Sequence, residues 1–344
     1  MTVQSRAVAG AIPFADGCVI ALDPDDRGAL RVDGSSNLSS DCGIFVNSTH
    51  DQALILNGTG VCIDGGDEGI FVSGGVFAPS NPACVSPEPV QAPPILNPLA
   101  YLTEPAAGGC DFMNTQVTGG TVTLSPGRYC TTPTVSAVTD PDTGITTIEI
   151  IYHESIRISN GTVTFNPGTY ILDSGMRITG GTVSGTGVTF FSTNISGAGI
   201  LDAWKSFWIT GNPIVNFSAP TTGDYAGVLF WEADDAPTFD SDGEKRVHLF
   251  AGNASSTLEG TIYIPNSEVR WEGTGTTAEW TQIISNTIRV GGNAVVPSAK
   301  LNDSSIPVPT RKVTLVERGR RRARGLFKKQ FYQTWRKTDA NTST

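Results

Sequence analysis

A short phrase of strand and turn residues occurs twice in the chain, and this repetition most constrains the fold. Residues 119–130 read GGTVTLSPGRYC, and residues 160–171, which lie 41 positions later, read NGTVTFNPGTYI. Each copy begins at a glycine turn and continues with alternating apolar and polar residues, the pattern of a strand with one buried face. Because a single layer of such strands leaves its apolar face exposed, the repetition predicts a stack, with 41 residues interpreted as two layers.

Similar phrases extend the predicted stack over most of the chain. They occur at residues 56–66, 178–191, 258–273 and 286–296, where glycine or Asn-Gly precedes an alternating segment. With 39 glycines, 21 prolines and only 16% charged residues, the composition favours short strands joined by turns. The alternation assigns inward positions to Val163, Phe165 and Ile178 and outward positions to Thr162, Thr164 and Thr179.

The six cysteines follow a regular spacing that is close to the length of one layer. Their separations are 24, 20, 22, 26 and 20 residues, and no CxxC pair occurs, so the pattern does not suit a zinc site. An even number of cysteines without metal spacing favours disulfides and an oxidising compartment. The sequence leaves the pairing open, although neighbours one repeat apart are the natural partners. The disulfide candidates are Cys18, Cys42, Cys62, Cys84, Cys110 and Cys130.

Together these patterns predict an all-β fold, a right-handed parallel β-helix (solenoid), with a β-sandwich as the alternative. The predicted β-helix domain spans residues 17–300 and follows an N-terminal lead-in of residues 1–16. Residues 86–105 hold six prolines, a density that excludes a central strand and predicts an extended loop or crossing segment. Residues 301–344 are predicted to form a basic tail that is either disordered or an amphipathic helix.

Several phrases between residues 4 and 297 together resemble one protein family. Residues 17–60 contain CVIALDP, GALRV and CGIFVNS, and further matches are NPLAYLTEP, TLSPGRYC, FNPGTYIL, GVLFWE and IPNSEVRWEG. These segments resemble the region that follows the membrane-anchored N-terminal part of TadG-like proteins in the tight-adherence (Flp) pilus assembly system. The resemblance implies a non-enzymatic protein of the bacterial cell envelope or surface, acting in pilus assembly or adhesion as a structural or interaction module.

A polysaccharide lyase or hydrolase is a competing class, because such enzymes also use β-helices and need converging carboxylates. The densest acidic stretch, FWEADDAPTFDSDGEKR at residues 230–246, reads as an exposed loop, so no catalytic residue is assigned. Calcium is the one cofactor that this loop would suit, because its side chains offer hard oxygen ligands. The calcium candidates are Asp234, Asp235, Asp240 and Asp242. His248, within RVHLF, is expected on a strand as a packed or exposed side chain.

Tryptophans supply a second alternative function, a carbohydrate-binding adhesin module. Flat aromatic rings stack on sugar faces, and Trp204, Trp208 and Trp231 are the candidates for such a platform. The competing interpretation is that these rings fill the core, since large aromatic side chains dominate buried area. Surface glycans are therefore among the expected partners, beside pilus or envelope proteins.

Charge divides the chain into two parts. Residues 311–344 hold 11 basic and two acidic residues, whereas residues 1–310 hold 12 basic and 31 acidic residues, giving +9 and −19. The acidic body is expected to repel nucleic acid. The tail is predicted to contact an anionic membrane or a partner, or to cap the body. Its candidate residues are Arg320, Arg321, Arg322, Phe327, Lys328, Lys329, Phe331 and Trp335.

No apolar stretch approaches the roughly 20 residues that span a bilayer. The sequence therefore predicts no transmembrane helix in this chain. The cysteine pattern and the family resemblance predict a location in the bacterial cell envelope, in the periplasm or on the extracellular surface.

Overall fold

The structure, a computed structural model, describes residues 17–79, 84–194, 200–252, 255–273, 280–292, 294–296 and 305–309. This described chain is all-β, as predicted: it contains 27 strands and one 3₁₀-helix, Leu201–Ala203. The lead-in of residues 1–16 and the tail candidates from Arg320 to Trp335 lie outside the described residues.

The strands before residue 114 have two to four residues each, whereas several of the later strands are longer. Those before residue 114 are β1 Val19–Ala21, β2 Leu30–Asp33, β3 Asn37–Ser39, β4 Ile44–Val46, β5 Leu54–Asn57, β6 Cys62–Asp64, β7 Ile70–Val72, β8 Val76–Phe77, β9 Cys84–Ser86, β10 Val90–Gln91 and β11 Phe112–Met113. The next are β12 Thr115–Leu124, β13 Gly127–Cys130, β14 Thr134–Thr139, β15 Thr146–Ile151, β16 Ile156–Phe165, β17 Gly168–Leu172, β18 Met176–Ile178, β19 Thr182–Thr186 and β20 Val188–Ser192. The last are β21 Phe207–Ile209, β22 Ile214–Ser218, β23 Val228–Glu232, β24 Val247–Gly252, β25 Thr257–Gly273, β26 Trp280–Val290 and β27 Val295–Val296.

Apart from β14 and β15, the named strands pair with their neighbours in parallel, and most of them form three ladders. Ladder A runs in spatial order through β12, β16, β18, β21, β24, β25, β26, β2, β5 and β8. Ladder B joins β12, β16, β19, β22 and β25, and a separate sheet joins β27, β3, β6 and β9. Ladder C runs through β11, β13, β17, β20, β23, β25, β26, β1, β4, β7 and β10.

Long strands connect the ladders. β16 and β25 each pair in more than one ladder, so the pairings close a circuit of seven parallel strands: β16, β18, β21, β24, β25, β22 and β19. The main hydrophobic core draws on side chains from all three ladders. Val163, Phe165 and Ile178 are fully buried and Thr162 and Thr164 are exposed, which confirms the predicted alternation at these positions.

The layers do not follow chain order. The first strand, β1, pairs with β26 near the end of the described chain, where Val19 is the register partner of Ile283 and Ile20 that of Ile284. From β1 the described chain therefore begins in the middle of the stack and runs outward to β10. It then resumes at the opposite end with β11 and works back to β26.

The link between the two ends is the proline-rich segment, residues 92–110, named here the strap. The predicted proline-rich segment, residues 86–105, begins earlier and includes the short strand β10, which pairs only with β7 in the described chain, so no central strand occurs there. The strap itself contains no strand. Ile95 exchanges two hydrogen bonds with the Asn47 side chain. Farther along, Asn97 Nδ2 donates to the Tyr263 hydroxyl at 2.8 Å, and the Glu104 carboxylate accepts from the backbone N–H of Asp234. These contacts order the strap along ladder C.

A continuous column of side chains on ladder C runs along the strap. Its successive register partners are Arg128, Ile171, Phe191, Trp231, Tyr263, Ile284, Ile20, Phe45 and Phe71. Members of this column pack with Leu99 of the strap in a second hydrophobic cluster. Their chain neighbours Phe190 and Ile283 belong to the main core. Since side chains alternate along a strand, the two clusters lie on opposite faces of ladder C.

The interpretation of the 41-residue spacing as two layers is wrong. β12 and β16 pair directly, with Val122 opposite Val163, so the two copies of the phrase are adjacent layers. The extra length is an inserted antiparallel hairpin, β14 and β15, whose strand residues are almost all exposed. The next step, from Val163 to Val183, takes 20 residues.

Glycines allow adjacent layers to approach closely at the corner formed by Gly120, Gly161 and Gly181. Gly161 has φ +104°, and a Cβ there would lie 2.7 Å from the carbonyl oxygen of Gly120. Gly181, with φ +86°, would place a Cβ 2.5 Å from the carbonyl oxygen of Gly161. Both the backbone conformation and the close stacking therefore require glycine.

All six cysteines form disulfides between neighbouring strands or their flanks, which confirms the expected partners one repeat apart. The pairs are Cys18–Cys42, Cys62–Cys84 and Cys110–Cys130. Cys62 and Cys84 are direct register partners on β6 and β9. The disulfides indicate an oxidising, extracytoplasmic location.

Candidate functional site: a basic groove on an acidic body

A groove of about 550 Å³ opens where the β14–β15 hairpin rejoins the stack. It is named here the basic groove, and the residues that define it are Gln116, His153, Glu154, Arg157, Arg177 and Lys205. Three of the 12 basic residues within residues 1–310 thus line one groove on a body that carries 31 acidic residues.

The strands of ladder A place these side chains in a row. Gln116, Arg157, Arg177 and Trp208 are successive register partners on β12, β16, β18 and β21. Three of these strands share one local pattern, an outward residue between two buried apolar ones. The triplets are Ile156-Arg157-Ile158, Met176-Arg177-Ile178 and Phe207-Trp208-Ile209. Paired strands lie about 4.8 Å apart, which sets the spacing of the row.

Contacts within the row are long or exposed. Arg157 Nη2 donates to Gln116 Oε1 at 3.2 Å, and Arg177 Nη1 donates to Glu154 Oε1 at 3.5 Å. The Arg177 side chain remains 47% exposed, and its Cζ lies 6.0 Å from the centroid of the Trp208 ring. The two guanidinium groups therefore keep donors available to a ligand.

Elsewhere on the described body, most cations are neutralised by carboxylates. The paired cations are Arg31, Arg128, Lys245, Arg246, Arg270 and Arg289. Within the described residues, Arg157 and Lys205 have no carboxylate within 4.0 Å, and Arg177 has only Glu154. The basic groove is consequently a local excess of positive charge.

His153 adds a neutral polar group to the groove. Its Nδ1 lies 3.4 Å from Arg157 Nη1 and its Nε2 lies 3.0 Å from Thr134 Oγ1. Arginine is always a donor, so Nδ1 accepts and Nε2 carries the proton. Burial, followed by the positive charge of Arg157, lowers the pKa of His153 below its ordinary value.

A second group of ionisable residues is sealed inside the stack. Glu232 on β23 accepts hydrogen bonds from Arg246 Nη1 at 3.0 Å, His248 Nε2 at 3.0 Å and Ser267 Oγ at 2.5 Å. Glu232 and His248 are fully buried and Arg246 is only 4% exposed. Although burial raises the pKa of Glu232, the interaction and hydrogen bond with His248, the charge of Arg246 and the hydrogen bond from Ser267 together lower it below its usual value. The expectation that Glu232 belongs to an exposed acidic loop is wrong.

His248 takes the packed alternative of the two expected for it. Its Nδ1 accepts the backbone N–H of Phe207 at 3.1 Å, which leaves the proton on Nε2, facing Glu232. Burial lowers the pKa of His248. A substrate cannot reach this acid–base pair, because both side chains have no exposed surface.

The four calcium candidates do not converge. Asp240 Oδ1 accepts the backbone N–H groups of Asp242 and Glu244, so it closes a turn. Burial, followed by the charge of Asp235, raises the pKa of Asp234. Among the described residues, three or more candidate ligand atoms lie within 4.8 Å of one another only at Cys110, Cys130 and Asp173. Those two cysteines form a disulfide, so this group is not a metal site.

The three candidate tryptophans occupy different environments. Trp231 is fully buried in the column beside the strap and is not available to a sugar, which corrects its assignment to a binding platform. Trp204 is half-buried, and the Arg246 guanidinium lies 5.4 Å from its ring centroid. Trp208 is half-buried at the end of the row that forms the basic groove.

Sequence reasoning missed Arg157, Arg177 and Lys205. A usable signal was present in the matching IRI and MRI triplets, each with arginine between two apolar residues. Lys205 lies on a connection before β21 and carries no comparable pattern.

Comparison with family models, with curated proteins and with solved structures gave no match. Within the described residues, no helix has the length and apolar character needed to span a bilayer.

Proposed function

We propose that the protein is a non-enzymatic structural or interaction module of the bacterial cell envelope or surface, acting in pilus assembly or adhesion. The observation that carries the proposal is the bracing of stacked strands by three disulfides, which fits an oxidising compartment. The pilus role derives from the TadG-like resemblance of residues 17–60 and of the later phrases. The partners in this role are pilus or envelope proteins.

The finer architecture proposed is a right-handed parallel β-helix. Three parallel ladders support it, because connections between parallel strands of one sheet are almost always right-handed. In such a fold each interior strand is hydrogen-bonded on both sides, which makes the stack a stiff support for surface features such as the β14–β15 hairpin.

The sealed position of Glu232 and His248 supports a non-enzymatic role. These residues form the one buried carboxylate–histidine pair of the described chain. Both side chains are engaged in hydrogen bonds within the protein. Binding without turnover therefore fits the available groups better than hydrolysis or elimination.

Glycan binding is a second candidate function, and one observation favours it. Arg157, Arg177 and Trp208 combine cations with an aromatic ring in a single row. This arrangement suits recognition at a surface in the manner of an adhesin.

The localisation is testable through the thiols of the full chain in its own cells. Acid-quenched cells are treated with a maleimide polymer, with and without prior reduction, and then fractionated. We expect all six cysteines to be protected until reduction, in the envelope or released fraction, and cross-linking there to capture pilus or envelope proteins. Recovery in the cytosol with free thiols would refute the proposed compartment.

A further inference from the structure

We propose that the basic groove binds an acidic glycan, a chain of uronic acid sugars, with the carboxylates on Arg157 and Arg177 and a sugar face on Trp208. This inference deepens the glycan-binding candidate and rests on the proposed surface role only for the source of its ligand. The affinity of the groove for a glycan is measured on the purified chain, so the result does not depend on where the protein is located in the cell.

Carboxylate recognition follows from the two guanidinium groups. Arg157 and Arg177 are adjacent register partners, and each offers a planar fork of donors that matches a carboxylate. The present contacts of Arg157, to Gln116 at 3.2 Å and to His153 at 3.4 Å, and that of Arg177, to Glu154 at 3.5 Å, are long enough for a ligand to replace. Lys205 adds a third positive charge without a carboxylate partner in the described chain.

Sugar recognition follows from the aromatic end of the row and from the neutral lining. Trp208 continues the row beyond Arg177, and the spacing of about 4.8 Å between paired strands is close to the length of one sugar ring. Gln116, Ser159 and Thr179 supply neutral donors and acceptors for hydroxyl groups. A site for a simple anion has no need of this combination.

Other anionic partners fit the surroundings less well. Duplex nucleic acid carries about one phosphate charge per 1.7 Å of its axis, whereas a uronic acid chain carries one carboxylate per sugar ring, so the −19 charge of residues 1–310 repels the duplex more strongly. A membrane surface is flat, whereas the groove is a recess beside the exposed β14–β15 hairpin. Both are retained as outcomes of the test.

The test is calorimetric titration of the full chain with tetrasaccharides of galacturonate, glucuronate and mannuronate. The methyl-esterified galacturonate tetrasaccharide is the uncharged control ligand. Arg157→Gln/Arg177→Gln removes two charges from the groove, and the matched control Lys328→Gln/Lys329→Gln removes two from the tail. Arg157→Lys/Arg177→Lys keeps the charge but removes the forks, and Trp208→Ala removes the ring; unfolding curves verify that each variant is folded.

We expect at least one acidic tetrasaccharide to bind and its methyl ester to bind at least roughly tenfold more weakly. The groove glutamine variant and Trp208→Ala should each lose roughly tenfold in affinity, and the lysine variant should lie between them and the unaltered chain. The tail variant should stay within about twofold.

The proposal is overturned if none of the three acidic tetrasaccharides binds, or if the tail variant loses affinity while the groove variant does not. It is also overturned if the groove variant weakens binding of single-stranded DNA or phosphatidylglycerol vesicles and leaves tetrasaccharide binding unchanged. Cytosolic recovery of the chain would refute the surface role and leave the binding result standing, so the two failures are distinguishable.

Discussion

Arg128 and Asp173 form an ion pair that ties the end of the strap to the stack. Arg128 Nη2 lies 2.8 Å from Asp173 Oδ2, its Nε lies 2.9 Å from Oδ1, and its Nη1 donates to the carbonyl of Gly108 in the strap. The Asp173 side chain is 2% exposed and that of Arg128 is 10% exposed. The hydrogen bond and charge of Asp173 raise the pKa of Arg128.

Replacing Asp173 by alanine should therefore be costly. It leaves a buried guanidinium without its counter-ion, which typically costs about 3–5 kcal/mol in the free energy of unfolding. Chemical denaturation of Asp173→Ala measures this loss. Glu268→Ala breaks the more exposed pair with Arg270 and should cost at most about 1 kcal/mol. Equal losses in the two variants would contradict the assigned role of Asp173.

His248 should make the stability of the folded chain depend on pH. Its pKa is lowered in the folded state by burial. Protonation would also place a proton on Nδ1, where it would face the backbone N–H of Phe207 and replace a hydrogen bond by a repulsion. As the pH falls below about 6.5, the unfolded chain takes up a proton before the folded chain does. Stability is therefore full above that pH and is lost progressively below it.

His248→Asn tests this pH dependence, because asparagine retains an acceptor for the Phe207 N–H but does not titrate. The free energy of unfolding, measured at several pH values from 7.5 to 5, should fall less steeply for the variant than for the unaltered chain. Parallel curves across that range would show that His248 does not carry the effect.

At the scale of elements, the strap is the feature that the sequence predicted only in part. Six prolines in residues 86–105 ruled out a central strand, because proline lacks the N–H that a ladder requires. Nothing in that composition showed that the segment would run along ladder C. Its placement depends on contacts with residues far away in sequence, such as Tyr263, to which Asn97 donates across 166 positions.

Leu99 is the apolar anchor of the strap, and its loss should weaken the whole element. It is 1% exposed within the cluster formed with Trp231 and Tyr263, so Leu99→Ala should cost about 2–5 kcal/mol in the free energy of unfolding. Leu96, three residues earlier and 74% exposed, provides the matched control. Leu96→Ala should change the stability by no more than about 0.5 kcal/mol. Denaturant titration of both variants distinguishes an anchored strap from a loosely attached loop.

The basic groove shows a similar limit of sequence reasoning. The alternation of apolar and polar residues correctly oriented Val163 and Phe165, because each strand's pattern is local. The row of Gln116, Arg157, Arg177 and Trp208 depends on register between strands 41, 20 and 31 residues apart. Insertions such as the β14–β15 hairpin make these intervals unequal. A search for a fixed period in the sequence therefore could not predict that these four side chains are neighbours.

At the scale of the whole molecule, the order of layers could not be read from the repeats. The cysteine spacing and the glycines at the corners predict that the layers stack. They do not predict which layers lie at the two ends of the stack. The pairing of β1 with β26 places the first described strand inside the stack. Stability should accordingly be distributed by position in the stack and not by position in the chain.

Hydrogen exchange provides the corresponding prediction. β1 pairs with β26 on one side and β4 on the other, whereas β10 and β11 each have one strand partner in the described chain. Amides of Val19–Ala21 should therefore exchange roughly a hundredfold more slowly than those of Val90–Gln91 and Phe112–Met113. Mass spectrometry of exchanged peptides measures this difference, with β4 as the interior reference; exchange of β1 as fast as that of β11 would contradict the non-sequential stack.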